Sequence, residues 1–429
     1  MSVLSATGQA SISGDEHSLR PPNSIGQLFR DWGEIYIDTF CPDLRTIKLI
    51  RAVRACRTPT LGGQCYECKD CGGKHYHYFS CGHSHCPICQ GIKRMQWQDR
   101  LGVRMLPVPY AHITFTVPHE LNGLIRKNPA PMFNLLFQSA WQTIRKVCAD
   151  ESNVGGLPGM TAVLHTWGSD LKYHVHLHCL VTFGGYDRQS GEWRWPKRKR
   201  KVARFRKLRG GYRSIFLEQL EKEMEAKKRV INYHESYEMV TKGLTKKSWV
   251  VNHQHPTADT KVIEEYLGRY ICRIGITNKR LSYEKDGKNV SIAYNDYARQ
   301  VAGQPAPKAD RHLHPIEAMG QILQHLLPHR LHRSRHYGLH AANTYASLAP
   351  QLPDKVKREG ATVRTIIEIL RAMLEEEPYR CPYCESDQLE KVEILPNRDY
   401  SALWLGSRAP PLRPMLVEPD FSEPELDEI

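Results

Sequence analysis

Tyr173-His174-Val175-His176-Leu177-His178-Cys179-Leu180-Val181 alternates polar rings with aliphatic side chains, the period of a β-strand. On such a strand His174, His176 and His178 share one face, and Val175, Leu177 and Cys179 the other. Two imidazoles at i and i+2 can present ring nitrogens to one divalent cation; imidazole suits Zn, Mn, Cu, Fe and Ni, and Mg less well. A single His-x-His is more often a pair of satisfied, half-exposed histidines. Three on one buried face would be costly without a metal or hydrogen-bond partners. Working outward, Thr161–Trp167 and Tyr110–Val117 are further β-type runs, and Met132–Cys148 has helical spacing. Residues 280–294 read as a hairpin around an Asp286-Gly287 turn. Helical patterns recur at 24–40, 43–55, 91–104, 213–229, 260–273, 315–327 and 362–375. Strands mixed with helices predict an α+β fold.

The pattern at 257–275, TADTKVIEEYLGRYICRIG, is a helix capped by Asp259 or Thr260 and ended by Gly275. Tyr266 and Tyr270 fall one turn apart on one face, with Ile263, Leu267 and Ile271 as a neighbouring apolar stripe. Such a pair is ordinarily core packing. Beside a metal-binding strand it gains a second meaning, because a tyrosine hydroxyl can attack a phosphodiester and keep the phosphate. A phenol with a pKa near 10 is a poor nucleophile at neutral pH and needs activation.

Seven of the thirteen cysteines lie between Cys56 and Cys89. In a long chain without a recognisable secretory signal, clustered cysteines bind metal more often than they form disulfides. Cys68-x-x-Cys71 and Cys86-x-x-Cys89 are two knuckles whose four thiolates suit one tetrahedral Zn2+ site. Cys56, Cys65, Cys81, His83 and His85 remain as ligand types for a second site or for exchange into the first. Cys381-x-x-Cys384 alone is half a site, and its spacing suits a metal half-site or an isolated turn equally, without the context of a redox motif.

The formal net charge of +14 favours polyanionic partners, nucleic acid first. Arg194–Arg213 holds eleven Lys or Arg and no acid. Lys197, Arg198, Lys199, Arg200, Lys201, Arg204 and Arg206 are candidate phosphate contacts, with Trp193, Trp195, Phe205 and Tyr212 interleaved as candidate stacking platforms for bases. His329–His336 is a second, weaker basic cluster. No apolar run approaches a membrane span, so a cytoplasmic location without membrane contact is the expectation. The expected organisation is a disordered stretch at 1–23, a helical and zinc-binding domain at 24–105, a catalytic domain at 106–300, a helical C-terminal region at 301–408 and an acidic tail at 409–429.

Taken together, the blocks SCGHSHCPICQ (80–90), HITFTVP (112–118), LHTWGSDLKYHVHLHCLV (164–181), EYLGRYICRIGITNKRL (265–281) and LLPHRLHRSRHYGLHA (326–341) resemble the two-tyrosine His-hydrophobic-His (HUH) transposases of rolling-circle insertion sequences, the insertion sequence 91 type. The resemblance implies an HUH nuclease core, a central antiparallel sheet with flanking helices, preceded by a helical and zinc-ribbon-like module. It carries His176 and His178 over as ligands of Mg2+ or Mn2+, with His174 assisting, and Tyr266 and Tyr270 as the catalytic pair. A third ligand is not fixed by the motif, and His174 and Asn278 are the candidates. Where the family often has Gln, this chain departs from the pattern with Ser169. The implied activity is nicking and transfer of single DNA strands at the ends of a mobile element through a 5′-phosphotyrosine. The rival readings are a plasmid or phage replication initiator with the same chemistry, and a non-enzymatic zinc-ribbon protein that only binds DNA.

Overall fold

A computed structural model describes residues 24–225, 231, 235–247, 249–257, 275–284, 288–301, 304–360, 362–374 and 380–396. Among the described residues, the first elements are α1 (Ile25–Phe40) and α2 (Leu44–Ala55). Ser24 caps the first by accepting from the Gln27 N–H; Asp43 caps the second by accepting from Arg45 and Thr46. A short hairpin follows, β1 (Gly63–Cys68) and β2 (Lys74–Tyr78), and then α3 (Gly91–Gly102). These match the expected helices at 24–40, 43–55 and 91–104.

Next come β3 (Tyr110–Thr116), α4 (Asn122–Lys127), α5 (Pro129–Ala149), β4 (Gly159–Trp167) and β5 (Tyr173–Thr182). After them lie a small ribbon of β6 (Gly185–Asp187) and β7 (Glu192–Arg194), α6 (Phe205–Glu225), α7 (Tyr237–Thr241) and β8 (Val251–His253). A second small sheet joins β9 (Leu281–Tyr283), β10 (Val290–Asn295) and β11 (Lys308–Leu313). The remaining elements are α8 (Pro315–Leu323), β12 (Ser334–Gly338), α9 (Ala342–Leu348), α10 (Ile366–Leu374) and β13 (Leu389–Leu395).

The central sheet has the order β12-β4-β5-β3-β8, and every pairing is antiparallel. The histidine strand β5 is therefore its middle strand. Its aliphatic face, with Val175, Leu177, Cys179 and Val181, packs on a core built with α5 and α6. There Phe115 meets Tyr212 at 4.8 Å, and Trp249 meets Tyr212 and Phe216 at 5.4 and 5.1 Å between ring centroids. Burying one whole face this way pins the register, since a one-residue slip would turn the histidines into the core. The fold is α+β, as expected.

Three features depart from the sequence reading. The sheet's outer strand β12 lies past residue 300, so the expected boundary there cuts through the sheet rather than beside it. Helix α6 begins at Phe205, inside the basic segment and eight residues before the expected start. Strand β13, which lies in the region expected to be helical, pairs with β1 and completes a three-stranded sheet β13-β1-β2. The expected hairpin at 280–294 is present as β9 and β10, but its Asp286-Gly287 turn lies outside the described residues.

Candidate active site

The polar face of β5 carries the histidines, and its neighbours supply the rest. Across β5, His176 faces His165 of β4 and Thr116 of β3; His178 faces Val163 and Thr114. One ring nitrogen from each of His165, His176 and His178 lies within 4.8 Å of the others, and all three side chains are buried. The β4–β5 register shifts between His165 and Trp167. Such a bulge re-aims side chains beside a site, and the Trp167 indole stacks on the His165 ring at 4.7 Å.

Hydrogen bonds set the tautomers. His176 Nδ1 lies 3.0 Å from the His174 carbonyl, which can only accept, so Nδ1 carries the proton and Nε2 the lone pair. His112 of β3 donates from Nδ1 to Gln254 Oε1 at 2.9 Å. Its Nε2 then accepts from His178 Nδ1, also at 2.9 Å. That leaves the His178 Nε2 lone pair aimed at the His176 Nε2, 3.0 Å away. Burial lowers the His176 pKa to about 3 and the His112 pKa to about 4, and holds His178 well below the usual range. The rings are neutral at pH 7. Two buried lone pairs converging at this distance fit a cation. An octahedral metal with bonds of about 2.1 Å has ligand edges of about 3.0 Å.

The expected ligands divide accordingly. His176 and His178 converge. His174 is exposed and stands outside the cluster, because its backbone carbonyl rather than its ring serves the site. Asn278 is taken up elsewhere, accepting from the Ile25 N–H at 3.0 Å. Its place as a candidate third ligand passes to His165. Ser169 donates to the Asn295 carbonyl at 2.8 Å. Tyr266 and Tyr270 lie outside the described residues. The flanking Thr257 bridges to Tyr110 of β3, and Gly275 lies so close to Trp167 that a Cβ there would meet the indole at 2.2 Å.

The cysteines separate into two clusters of four, and the expected single site of Cys68, Cys71, Cys86 and Cys89 is not formed. Cys86 and Cys89 join Cys56 and Cys81; Cys68 and Cys71 join Cys381 and Cys384. The β1–β2 hairpin carries its turn, and with it Cys68 and Cys71, towards the C-terminal strand and away from the 81–89 loop. In the first cluster Cys81 and Cys89 sulfurs stand 3.8 Å apart, close to the edge of about 3.8 Å of a ZnS4 tetrahedron. The neighbouring thiols of Cys56, Cys81 and Cys86 hold Cys89 well below the ordinary thiol range. Cys65 is buried on β1 outside both clusters, and His85 accepts from the Leu327 N–H at 3.2 Å.

The basic segment lies at the β8 edge. The Val202 N–H donates to His253 Nε2 at 3.4 Å, and Lys201 sits 4.4 Å over the Phe205 ring. Lys197, Lys199, Arg200, Arg204 and Arg206 are exposed; Arg198 and Lys201 are half-buried. Of the interleaved aromatics, Trp195 and Phe205 face solvent, whereas Trp193 and Tyr212 are buried and cannot stack on bases. The early start of α6 places Tyr212 on the helix face that enters the core.

Among known proteins, the chain is 33% identical over 323 residues to "Putative transposase y4qJ" of Sinorhizobium fredii, covering 73% of this chain and 79% of that relative. The chain belongs to the insertion sequence 91 type of transposases. The family described as "Transposase zinc-binding domain" matches residues 28–117, and that described as "Putative transposase" matches 159–347. The "Transposase for insertion sequence element IS801" of Pseudomonas savastanoi pv. phaseolicola is 22% identical over 380 residues, 85% of this chain and 88% of its own length. No solved structure matches the chain. The transposase thus has an N-terminal zinc-binding domain, DNA as its partner, and no described helix long and apolar enough to cross a membrane.

Proposed function

We propose that this transposase nicks and transfers single DNA strands at the ends of its element, with Tyr266 and Tyr270 as nucleophiles. The observation that carries the reading is the convergence of His176 and His178 lone pairs, with His165 beside them, on the central strand of a family of transposases. His165, His176 and His178 would hold Mg2+ or Mn2+, which supplies polarisation of the scissile phosphate and neutralisation of developing charge. The tyrosine oxygen attacks phosphorus, the bond to the 3′ oxygen breaks, and that oxygen leaves as a 3′-OH with the proton. The strand's 5′ end stays on the enzyme as a phosphotyrosine. A 3′-OH later attacks this link, restores a phosphodiester and releases the tyrosine, so no external energy source is needed. The Cys56, Cys81, Cys86 and Cys89 cluster holds structural zinc and orders the N-terminal module.

The test is to incubate the full chain with labelled single-stranded oligonucleotides of element ends and Mn2+ or Mg2+, and to map the DNA-linked peptide by mass spectrometry. A peptide carrying Tyr266 or Tyr270 is the expected result. Specific binding without any covalent adduct would instead favour a protein that only binds DNA.

His112 touches His178 and not the metal position, so it acts as a positioning residue. Its replacement by alanine is expected to weaken metal affinity or activity by about 10–100-fold, as loss of such outer partners does elsewhere. His112→Gln, which can keep one hydrogen bond, should recover part of this. Equal behaviour of both variants and wild type in a Mn2+ titration of cleavage would remove His112 from the site.

The basic segment is proposed to hold phosphates. Neutralising Lys197–Lys201 should reduce the salt dependence of single-strand binding by about 0.7 in log–log slope for each phosphate no longer neutralised. An unchanged slope would make the segment a solvated loop.

A further inference from the structure

Cys381 and Cys384 lie beyond both family-matched regions, yet they come to rest against the N-terminal hairpin. Cys68 and Cys384 sulfurs are 3.6 Å apart, as are Cys71 and Cys381, and all four sulfurs lie within 4.8 Å of one another. These spacings fit the edge of about 3.8 Å of a ZnS4 tetrahedron with bonds of about 2.3 Å. They are far longer than a disulfide bond of about 2.05 Å.

The two cysteine pairs have the same backbone geometry. In the first, the Gly72 N–H donates to the Cys68 carbonyl at 2.8 Å, and the Cys68 N–H to the Gly73 carbonyl at 3.0 Å. In the second, the Glu385 N–H donates to the Cys381 carbonyl at 2.7 Å, and the Cys381 N–H to the Ser386 carbonyl at 2.7 Å. Each pair is followed by a left-handed residue, Gly72 at φ +69° and Glu385 at φ +60°. Glycine adopts that conformation freely and glutamate does not. A non-glycine residue held there marks a turn whose shape is imposed from outside. Each knuckle also abuts a strand of one sheet: β1 enters the first and β13 leaves the second, and the two strands pair.

Other contacts support the same junction. Buried His75 places Nε2 3.3 Å from Cys381 Sγ, as a ring N–H donor to a thiolate would. Tyr383, inside the second knuckle, stacks on His75 at 4.9 Å and packs so tightly on Gly73 that a Cβ there would meet it at 2.5 Å. Arg364 forms a forked ion pair with Asp99 of α3, and Ile369 and Leu370 of α10 pack on Ile92.

We infer that Cys68, Cys71, Cys381 and Cys384 hold a second zinc ion, in a ribbon whose two knuckles come from opposite ends of the chain. The ion is structural: all four positions are filled by protein, leaving none for water or substrate. It fastens the segment after α10 to the zinc-binding domain, which the matched domain at 28–117 would otherwise leave with an unfilled pair of thiols. This assignment does not rest on the nuclease reading.

Elemental analysis of the full-length chain should find two zinc ions per chain, and one in Cys381→Ser/Cys384→Ser. A variant that failed to fold would lose both, so the wild-type chain carries the deciding measurement. Cys71, Cys384 and Cys41 are all exposed, and Cys41 belongs to neither cluster. Under a thiol-alkylating reagent, peptide mapping should show Cys41 modified at once and Cys68, Cys71, Cys381 and Cys384 protected together. Stripping the metal should expose all four. One zinc in the wild type, Cys71 and Cys384 reacting as fast as Cys41, or a disulfide-linked peptide joining the two ends would each overturn the inference.

Discussion

Alanine at His176 or at His178 is expected to abolish strand cleavage while leaving duplex binding in place. Both rings are buried, both are neutral, and each has one nitrogen committed to a fixed acceptor, so the other is a lone pair with a fixed direction. Removing either leaves an incomplete ligand set. The charge stabilisation a bound metal supplies is several kcal/mol. At about 1.4 kcal/mol per decade, losing about 4 kcal/mol slows cleavage about a thousandfold. His174→Ala is the matched control, since its ring is exposed and outside the cluster; it should cleave nearly as well as the wild type. Thermal melting of each variant separates a lost site from a lost fold. His176→Ala cleaving at the wild-type rate with an unchanged melting temperature would refute the assignment.

Replacing Tyr266 and Tyr270 together by phenylalanine should remove every covalent DNA–protein adduct. Phenylalanine keeps the ring and loses only the oxygen, so packing is preserved if either residue also serves the core. A single replacement should still allow one attack and stop the reaction before the second strand is joined, visible as adduct without recombined product. Full adduct in the double variant on a denaturing gel would place the nucleophile elsewhere. The described residues on either side of this segment both reach the histidine-bearing sheet, Thr257 at Tyr110 and Gly275 at Trp167. An attack near His176 is compatible with those two anchor points.

What can be read from the residues follows from how far each signal reaches along the chain. The histidine strand is legible because period-2 alternation survives in a central strand with one apolar face. His165 is not singled out by its own motif. Regular pairing of Thr161–Trp167 with 173–183 across the turn at 168–172 sets 167 opposite 173 and 165 opposite 175, on the apolar face; only the bulge between His165 and Trp167 brings 165 opposite 176. His112 cannot be recognised in the same way, because its partner Gln254 is 142 residues away. The cysteine motifs are visible and their partners are not. Spacing within a knuckle is local, but Cys71 and Cys381 are 310 residues apart. The early start of α6 is hidden by charge: its first turn is so rich in Lys and Arg that it resembles a loop, while Leu208 and Tyr212 supply the buried face that makes it a helix. For the same reason Tyr212, expected to meet bases, is committed to the interior, while Trp193 is buried on β7 in a separate cluster with Tyr186.

The pairing of β13 with β1 also bears on how this protein is made. The hairpin is synthesised first, and the strand that covers its edge emerges only much later, since Cys68 pairs with Leu389. Until then, β1 presents an open row of backbone donors and acceptors. A shortened gene product ending near residue 350 would keep every strand of the central sheet and still display that bare edge. Such fragments should be found in inclusion bodies and not among dissolved protein, although nothing has been removed from the histidine-bearing strands.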